Sequence, residues 1–254
     1  MNAYDLYLRA LPLVQSFRQE ENRAALEFLN QAVALDPTFA PALANAAWCY
    51  ELGITRGWRT VGGDDEKAAA AIANRAISTG TDDAVSLVVA GFVLGVVGRE
   101  WDGGLEAARR AVSRNSGSGF VSLMASLTAT FAGNGAEGLA LAERAMTLNP
   151  LDPAYFHYLL AGAFALLFTG RPEKALTLAQ RSLAIYPHWD TTFYVLAVCY
   201  VQLGRLTDAR NAVTSFVVLL PGATVSRLRQ TLRVRNPAHL ELIVESLRKA
   251  GLPD

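Results

Sequence analysis

The prolines of this chain keep a period. Pro150, Pro187 and Pro221 are separated by 37 and 34 positions, and each follows an apolar or alanine-rich run ending in Leu-Asn, Ile-Tyr or Leu-Leu. Pro37, after Ala34-Leu35-Asp36, marks the same point near the N-terminus. A repeat of this length is one helix-turn-helix unit, which cannot bury its apolar face alone, so its copies must stack. Between Pro187 and Pro221 the unit carries Phe193, Leu196, Ala197 and Tyr200, then Gly204, then Ala209 and Val213. The same frame finds Leu159, Gly162, Ala163, Leu166, Ala175 and Ala179 one unit earlier, and before that Ser122, Ala125, Ser126, Ala129, Gly138 and Ala142. Two more first helices show Leu87, Ala90, Gly91 and Leu94, and Leu43, Ala46, Ala47 and Tyr50. Small residues recur where the paired helices cross most tightly and a larger side chain would push them apart.

A large residue, two gaps, Leu, a small residue, two gaps, Tyr, and later Ala with a bulky residue four on resembles the tetratricopeptide (TPR) repeat. The fold expected is all-α: an α-solenoid of antiparallel helix pairs, a single TPR superhelix over residues 1–254 with about five or six pairs. Two segments depart from the frame. The spacing from Tyr50 to Ala69 is ten longer than an ordinary unit allows, which places an insertion at 53–64, Gly53 to Asp64. After Pro221 the pattern stops, and residues 222–254 read as a C-terminal capping region. Within it Pro237 to Lys249 forms an amphipathic helix with Leu240, Ile243, Val244 and Leu247 on one face. Ala3 to Phe17 and Glu21 to Leu35 form a degenerate first pair.

Composition narrows the function. The 254 residues are 52% hydrophobic and only 18% charged, with 23 basic against 23 acidic side chains. Zero balance lacks the basic field that nucleic acid or an anionic membrane requires. The uncharged stretches Ala84 to Gly98, Phe120 to Gly135 and Ala154 to Gly170 are each shorter than the ~20 residues that span a bilayer, so they read as buried helices. The N-terminus has no apolar core before a cleavage site, hence no secretory signal. Cys49 and Cys199 lie too far apart in sequence for a CxxC site and suit a reducing compartment, so a cytoplasmic location is expected.

In such an array the first helix of each pair lines the concave side. Counting from the small-residue landmark, its face shows Val85, Val88 and Phe92, then Phe120, Leu123, Leu127 and Phe131. It continues through His157, Leu160, Phe164 and Phe168 to Tyr194 and Val198. Grooves that hold an acidic C-terminus need Lys, Arg and Asn here, and only Asn45 is near such a place. Two readings of the apolar stripe stand. Either a tight superhelix fills it with its own side chains, or it receives an apolar protein or peptide segment, from an adjacent domain or from a second copy of the chain as a homodimer.

Elsewhere, Arg56, Trp58 and Arg59 in the insertion are anchors of the type that dominate interfaces, or Trp58 packs across the neighbouring repeat. Arg227 to Arg235, with four arginines, is a solvated face or pairs with acids of its own chain. There is no phosphate loop, nucleotide fingerprint, nucleophile elbow or zinc motif. His157, His188 and His239 fall on separate units without metal-ligand spacing. The chain reads as non-catalytic, with no cofactor or metal; His157 is the one histidine placed for ligand contact, and an enzyme with an unrecognised site in the superhelix is the remote alternative.

The opening Asn2-Ala3-Tyr4-Asp5-Leu6-Tyr7-Leu8-Arg9, the unit end Ala32 to Pro37, the pair Gly57-Trp58 and the tail from Asn236-Pro237 through Pro253 carry a further resemblance. The whole chain resembles the C-terminal TPR region behind bacterial class III adenylate or guanylate cyclase domains. Similar regions follow winged-helix DNA-binding domains in transcription regulators. The resemblance implies a protein-interaction scaffold, the regulatory or assembly module of a signalling protein. The metal-binding aspartates and purine-contacting residues of a cyclase have no counterpart here, so the resemblance carries no activity to this chain.

Overall fold

A computed structural model describes residues 2–58 and 63–254. The described residues form fourteen α-helices and no strand, and the chain divides into two compact units, Met1–Ser116 and Gly117–Asp254. The first unit holds α1 (Ala3–Val14), α2 (Gln19–Leu35), α3 (Ala40–Thr55), α4 (Asp64–Ser78), α5 (Ala84–Val96) and α6 (Trp101–Arg114). The second holds α7 (Gly119–Phe131), α8 (Gly135–Leu148), α9 (Tyr155–Phe168), α10 (Pro172–Ile185), α11 (Asp190–Gln202) and α12 (Leu206–Leu219), followed by α13 (Val225–Thr231) and α14 (Pro237–Lys249).

Within each unit, consecutive helices pack as antiparallel pairs, and the odd-numbered helices of successive pairs also touch one another. The odd helices therefore form an inner layer and the even ones an outer layer. Helix composition follows from that placement. Twelve of the thirteen residues of α5 are buried, whereas α10 buries only Ala175, Leu176, Ala179 and Ser182 of its fourteen. A helix covered on nearly all sides tolerates almost no charge, and one with a solvated face needs it. This is where the charge shortage sits: α5, α7 and α9 carry none.

Helix starts are set by local chemistry. Asn2 and Asp5 form a reciprocal capping box at α1, with bonds of 2.9 and 3.1 Å. Asp83, Ser118, Thr224 and Asn236 cap α5, α7, α13 and α14, and prolines open α10 and α14, where a missing N–H costs nothing. Turns from first to second helix need a left-handed residue. Gly133, Gly170 and Gly204 supply it with φ of 94°, 71° and 73°, while Arg99 takes φ 59° in the α5–α6 turn.

α3 runs on through Gly53, Ile54 and Thr55, and α4 begins at Asp64. The extra length between these two helices is thus shorter than the spacing of the sequence landmarks. The 222–254 region holds two helices. α14 packs against α11 and, less, α12, standing where the first helix of another pair would lie. It buries Ile243, Val244 and Leu247 completely, each worth about 1.5–3 kcal/mol, and turns Glu241, Arg248 and Lys249 outward. α13 packs on α14, and its start is tied to the chain end by a 2.7 Å bond from the Val225 N–H to the Pro253 carbonyl.

Candidate functional site

In the first unit, Val88 and Phe92 are buried within α5, at 0% and 7% exposure. Asn45 is buried and turns its side-chain amide onto the Pro41 carbonyl of its own helix at 2.9 Å, where it cannot clamp a carboxylate. The unforeseen residue is Glu51, the one charged side chain in α3, and buried. Burial pushes its carboxyl up to about 7, and a hydrogen bond from the Thr55 side chain and the charge of Arg56 only partly oppose this. A lone acid in an otherwise uncharged run was the sequence signal that could have found it.

At the insertion, Arg56 ends α3 and Gly57 takes φ 68°. The Trp58 N–H donates to the Gly53 carbonyl at 2.7 Å, and its ring is half-buried. Arg59 lies outside the described residues.

The second unit gathers the rest of the stripe. Leu123 lies in a core cluster with Ala142, Ala145, Tyr158 and Ala161, on which half-buried Phe120 and Leu127 pack. Tyr158 is fully buried, and its hydroxyl donates to Asp152 at 2.9 Å. Burial, mainly, pushes that hydroxyl up to about 12. Leu160 and Val198 are buried, at 3% and 0% exposure. Phe131, Phe164, Phe168 and Tyr194 form a continuous aromatic row across α7, α9 and α11. Phe164 has its ring centre 5.4 Å from Phe131, 6.2 Å from Phe168 and 6.0 Å from Tyr194. Edge and tilted arrangements of this kind add about 0.5–1.5 kcal/mol per pair beyond area burial. Phe168 remains half-buried. His157 stands apart, half-buried, with its ring 4.1 Å from Phe156 and 4.6 Å from Trp189.

The row has a cover of its own. The Arg235 N–H donates to the Phe131 carbonyl at 2.8 Å, and the His239 ring stacks on Phe168 at 4.2 Å with planes 12° apart. Burial holds the imidazole pKa below its ordinary value. Behind them the Gln202 amide donates to Ser246 at 3.0 Å, joining α11 to α14. Eight of the twelve stripe residues are thus buried, and Phe120, Leu127, His157 and Phe168 retain accessible surface.

One member of the arginine run, Arg229, meets an acid of its own chain, and Arg248 beyond the run does the same. Arg229 grips Glu241 with both guanidinium nitrogens, and Arg248 holds Glu245 and, at 2.9 Å, Asp254. Among the described residues no group of three or more His, Cys, Asp or Glu side chains could hold a metal ion, and no helix is long and apolar enough to cross a membrane.

No family model matches the chain. Over 119 residues, 47% of its length, the chain is 35% identical to the TPR repeat-containing thioredoxin TTL4 of Arabidopsis thaliana, of which it spans 16%. Among solved structures, the APC/C hetero-tetramer Cut9–Hcn1 superposes with a TM-score of 0.64 at 11% identity, covering 98% of this chain and 46% of that one. The type IV pilus biogenesis factor PilW gives 0.57 at 18% identity over 82% and 89% of the two chains. A tetratricopeptide repeat protein from Parabacteroides merdae gives 0.55 at 14% identity over 98% and 89%. Identities this low speak of fold alone. With its repeat pattern, its helix pairs among the described residues and these neighbours, the chain has the tetratricopeptide-type fold, an all-helical α-solenoid of antiparallel pairs.

Proposed function

We propose that this chain is a non-catalytic protein-interaction scaffold, the regulatory or assembly module of a cyclase-type signalling protein. One observation carries the reading. Phe120, Leu127, His157 and Phe168 lie on the inner-layer helices α7 and α9 of the second unit and keep surface open on a face that bears no charge of its own. Such a face gains most from an apolar segment, because desolvation is the main favourable term available to it. The occupant is an apolar segment of an adjacent domain, of a separate protein or peptide, or of a second copy of the chain. The solved neighbour Cut9–Hcn1 is itself a hetero-tetramer, which supports assembly as a use of the fold.

The test begins with the full reading frame that carries this region. If a cyclase domain precedes it, cyclic-nucleotide formation and oligomeric state are measured with the region intact and with Leu127→Ser and Phe168→Ser. A change of fivefold or more in activity, or a shift in oligomeric state, is expected while helicity is retained. Unaltered activity and assembly in the folded variants would sink the proposal. A winged-helix domain upstream would move the same scaffold to a transcription regulator, with DNA affinity as the readout.

A further inference from the structure

α1 turns its sides to different surroundings. Leu6, Ala10 and Val14 are buried, and Ala3, Tyr7 and Leu13 pack beside them where α1 meets α2 and α3. The other side carries Tyr4 and Leu8, 56% and 45% exposed, with exposed Pro12 and half-buried Leu11. Steps of three and four put Tyr4, Leu8 and Leu11 in one line along the helix, with Pro12 beside Leu8. Tyr4 leans on Tyr7 and Phe39, with ring centres 6.3 and 6.5 Å away, and still leaves more than half of its surface in water. α14 also packs by one face, but its solvent side holds Glu241, Arg248 and Lys249. A solvated helix face is normally polar, and an apolar one marks a contact. Two charges flank the line: Asp5 and Arg9 are exposed, one turn apart on the same edge. Arg9 makes no hydrogen bond or ion pair among the described residues. Asp5 receives the Asn2 N–H on one carboxylate oxygen, at 3.1 Å, and leaves the other open.

We propose that α1 is a self-association surface, through which two copies of the chain pair antiparallel about a two-fold axis beside Leu8. The charges select both the occupant and its direction. A two-fold contact is self-complementary: where residue i meets j, j meets i. In an antiparallel pair like edges face each other, so Asp5 of each copy stands opposite Arg9 of the other, twice over. In the same register Tyr4 lies against Leu11 of the second copy, and the two Leu8 side chains meet at the axis. A parallel pair would instead set this edge against the one that holds Ala3 and Tyr7, where no charge answers. Two helices of twelve residues bury less than ~1,200 Å² between them, the low end for specific contacts, so the pair is weak and exchanging. The surface shares no residue with the stripe of the second unit, and the inference does not rest on the scaffold reading above.

Sedimentation equilibrium of the full chain from about 1 to about 300 µM reads the association. Wild type is expected to pass from monomer to dimer across this range. Leu8→Arg is expected to stay monomeric with helicity and unfolding midpoint unchanged, because the side chain it replaces is exposed in the single chain. Two charge variants then test the direction. Arg9→Glu sets acid against acid and Asp5→Lys base against base, so each alone is expected to dimerise at least tenfold more weakly. Mixing them pairs every charge with an opposite one and is expected to restore a heterodimer of about wild-type affinity. In Asp5→Lys the Asn2 side chain still accepts from the backbone N–H at position 5, so the start of α1 is kept. A wild type that is monomeric at every concentration overturns the proposal, as does a dimer that survives Leu8→Arg, or a mixture no tighter than its separate variants. If Leu127→Ser abolishes the dimer and Leu8→Arg does not, the contact belongs to the inner face: this inference fails and the scaffold reading stands. A dimer lost in Leu8→Arg and kept in Leu127→Ser supports pairing through α1, whatever becomes of that reading.

Discussion

The α5–α6 pair in the first unit and the α9–α10 pair in the second use the same repeat landmark with different strictness. At the small-residue position of α5, a Cβ built on Gly91 would lie 2.9 Å from both the Gly104 carbonyl oxygen and the Ala107 Cβ. Reciprocally, a Cβ on Gly104 would meet the Gly91 carbonyl at 2.6 Å. Here backbone meets backbone and nothing can rotate away. In α9 a Cβ on Gly162 would meet the Leu178 Cδ1 at 2.9 Å, the end of a flexible side chain. The comparison teaches that a conserved-looking glycine pattern within one chain marks a crossing point, and that its stringency depends on what stands opposite. The inner faces differ in the same spirit: α5 carries an aliphatic run, α9 an aromatic one covered by the tail.

The largest expected effect breaks the tighter pair. Gly104→Ala forces α5 and α6 apart and is expected to cost about 3 kcal/mol, read as a lowered denaturation midpoint at unchanged m. A loss below about 1 kcal/mol would show that the pair relaxes freely.

Next in size is Glu51→Gln, which asks what a buried acid costs the first unit. With a folded value near 7 against an ordinary 4.5, the folded chain holds a proton between those pH values that the unfolded chain releases. Stability from this group is therefore fully present below 4.5 and lost as pH rises to about 7. Above pH 7 the carboxylate costs about 3 kcal/mol. The variant is expected to be more stable than wild type at pH 8 and to lose most of that advantage at pH 5. Thermal melts at the two pH values check this, and a difference independent of pH would refute the assignment.

Gly162→Ala sharpens the comparison from the looser side. Rotation of Leu178 and the helix propensity of Ala offset the crowding, so the change is expected to stay within about 1 kcal/mol. A cost equal to that of Gly104→Ala would erase the distinction. Smallest is Arg99→Gly, which puts into the α5–α6 turn the residue that the α7–α8, α9–α10 and α11–α12 turns already use. Relief of the left-handed backbone is expected to stabilise by about 0.5 kcal/mol after the added chain entropy of glycine.

Much of the fold was legible because a solenoid is local. Each small residue and each turn proline acts on its neighbours in sequence, so Gly91 and Gly162 announce the crossings that they make. α13 was harder to read, since Val225, Leu228 and Thr231 line one buried face inside a run that its arginines make look wholly polar. Glu51 shows another limit: a lone acid in the uncharged run of α3 flags the position, and only packing shows that it is enclosed. In the second unit Phe131, Phe164, Phe168 and Tyr194 do meet, but the histidine that stacks on Phe168 was not legible, because helical periodicity states which residues point together and says nothing of what stands over them.

By itself, then, the sequence determined an all-helical array of repeats and the pairing of its helices. These follow from spacing of 34 to 37 residues and from contacts between consecutive elements. Tertiary structure alone decided that Glu51 is enclosed, that Gly104 is pressed against backbone, and that the amide of Arg235 reaches the carbonyl of Phe131. The physical reason is range. Arg235 and Phe131 are far apart in the chain, and no periodic signal encodes a meeting that happens once; the α5–α6 crossing is local, but periodicity marks where helices cross and not whether backbone or a movable side chain stands opposite.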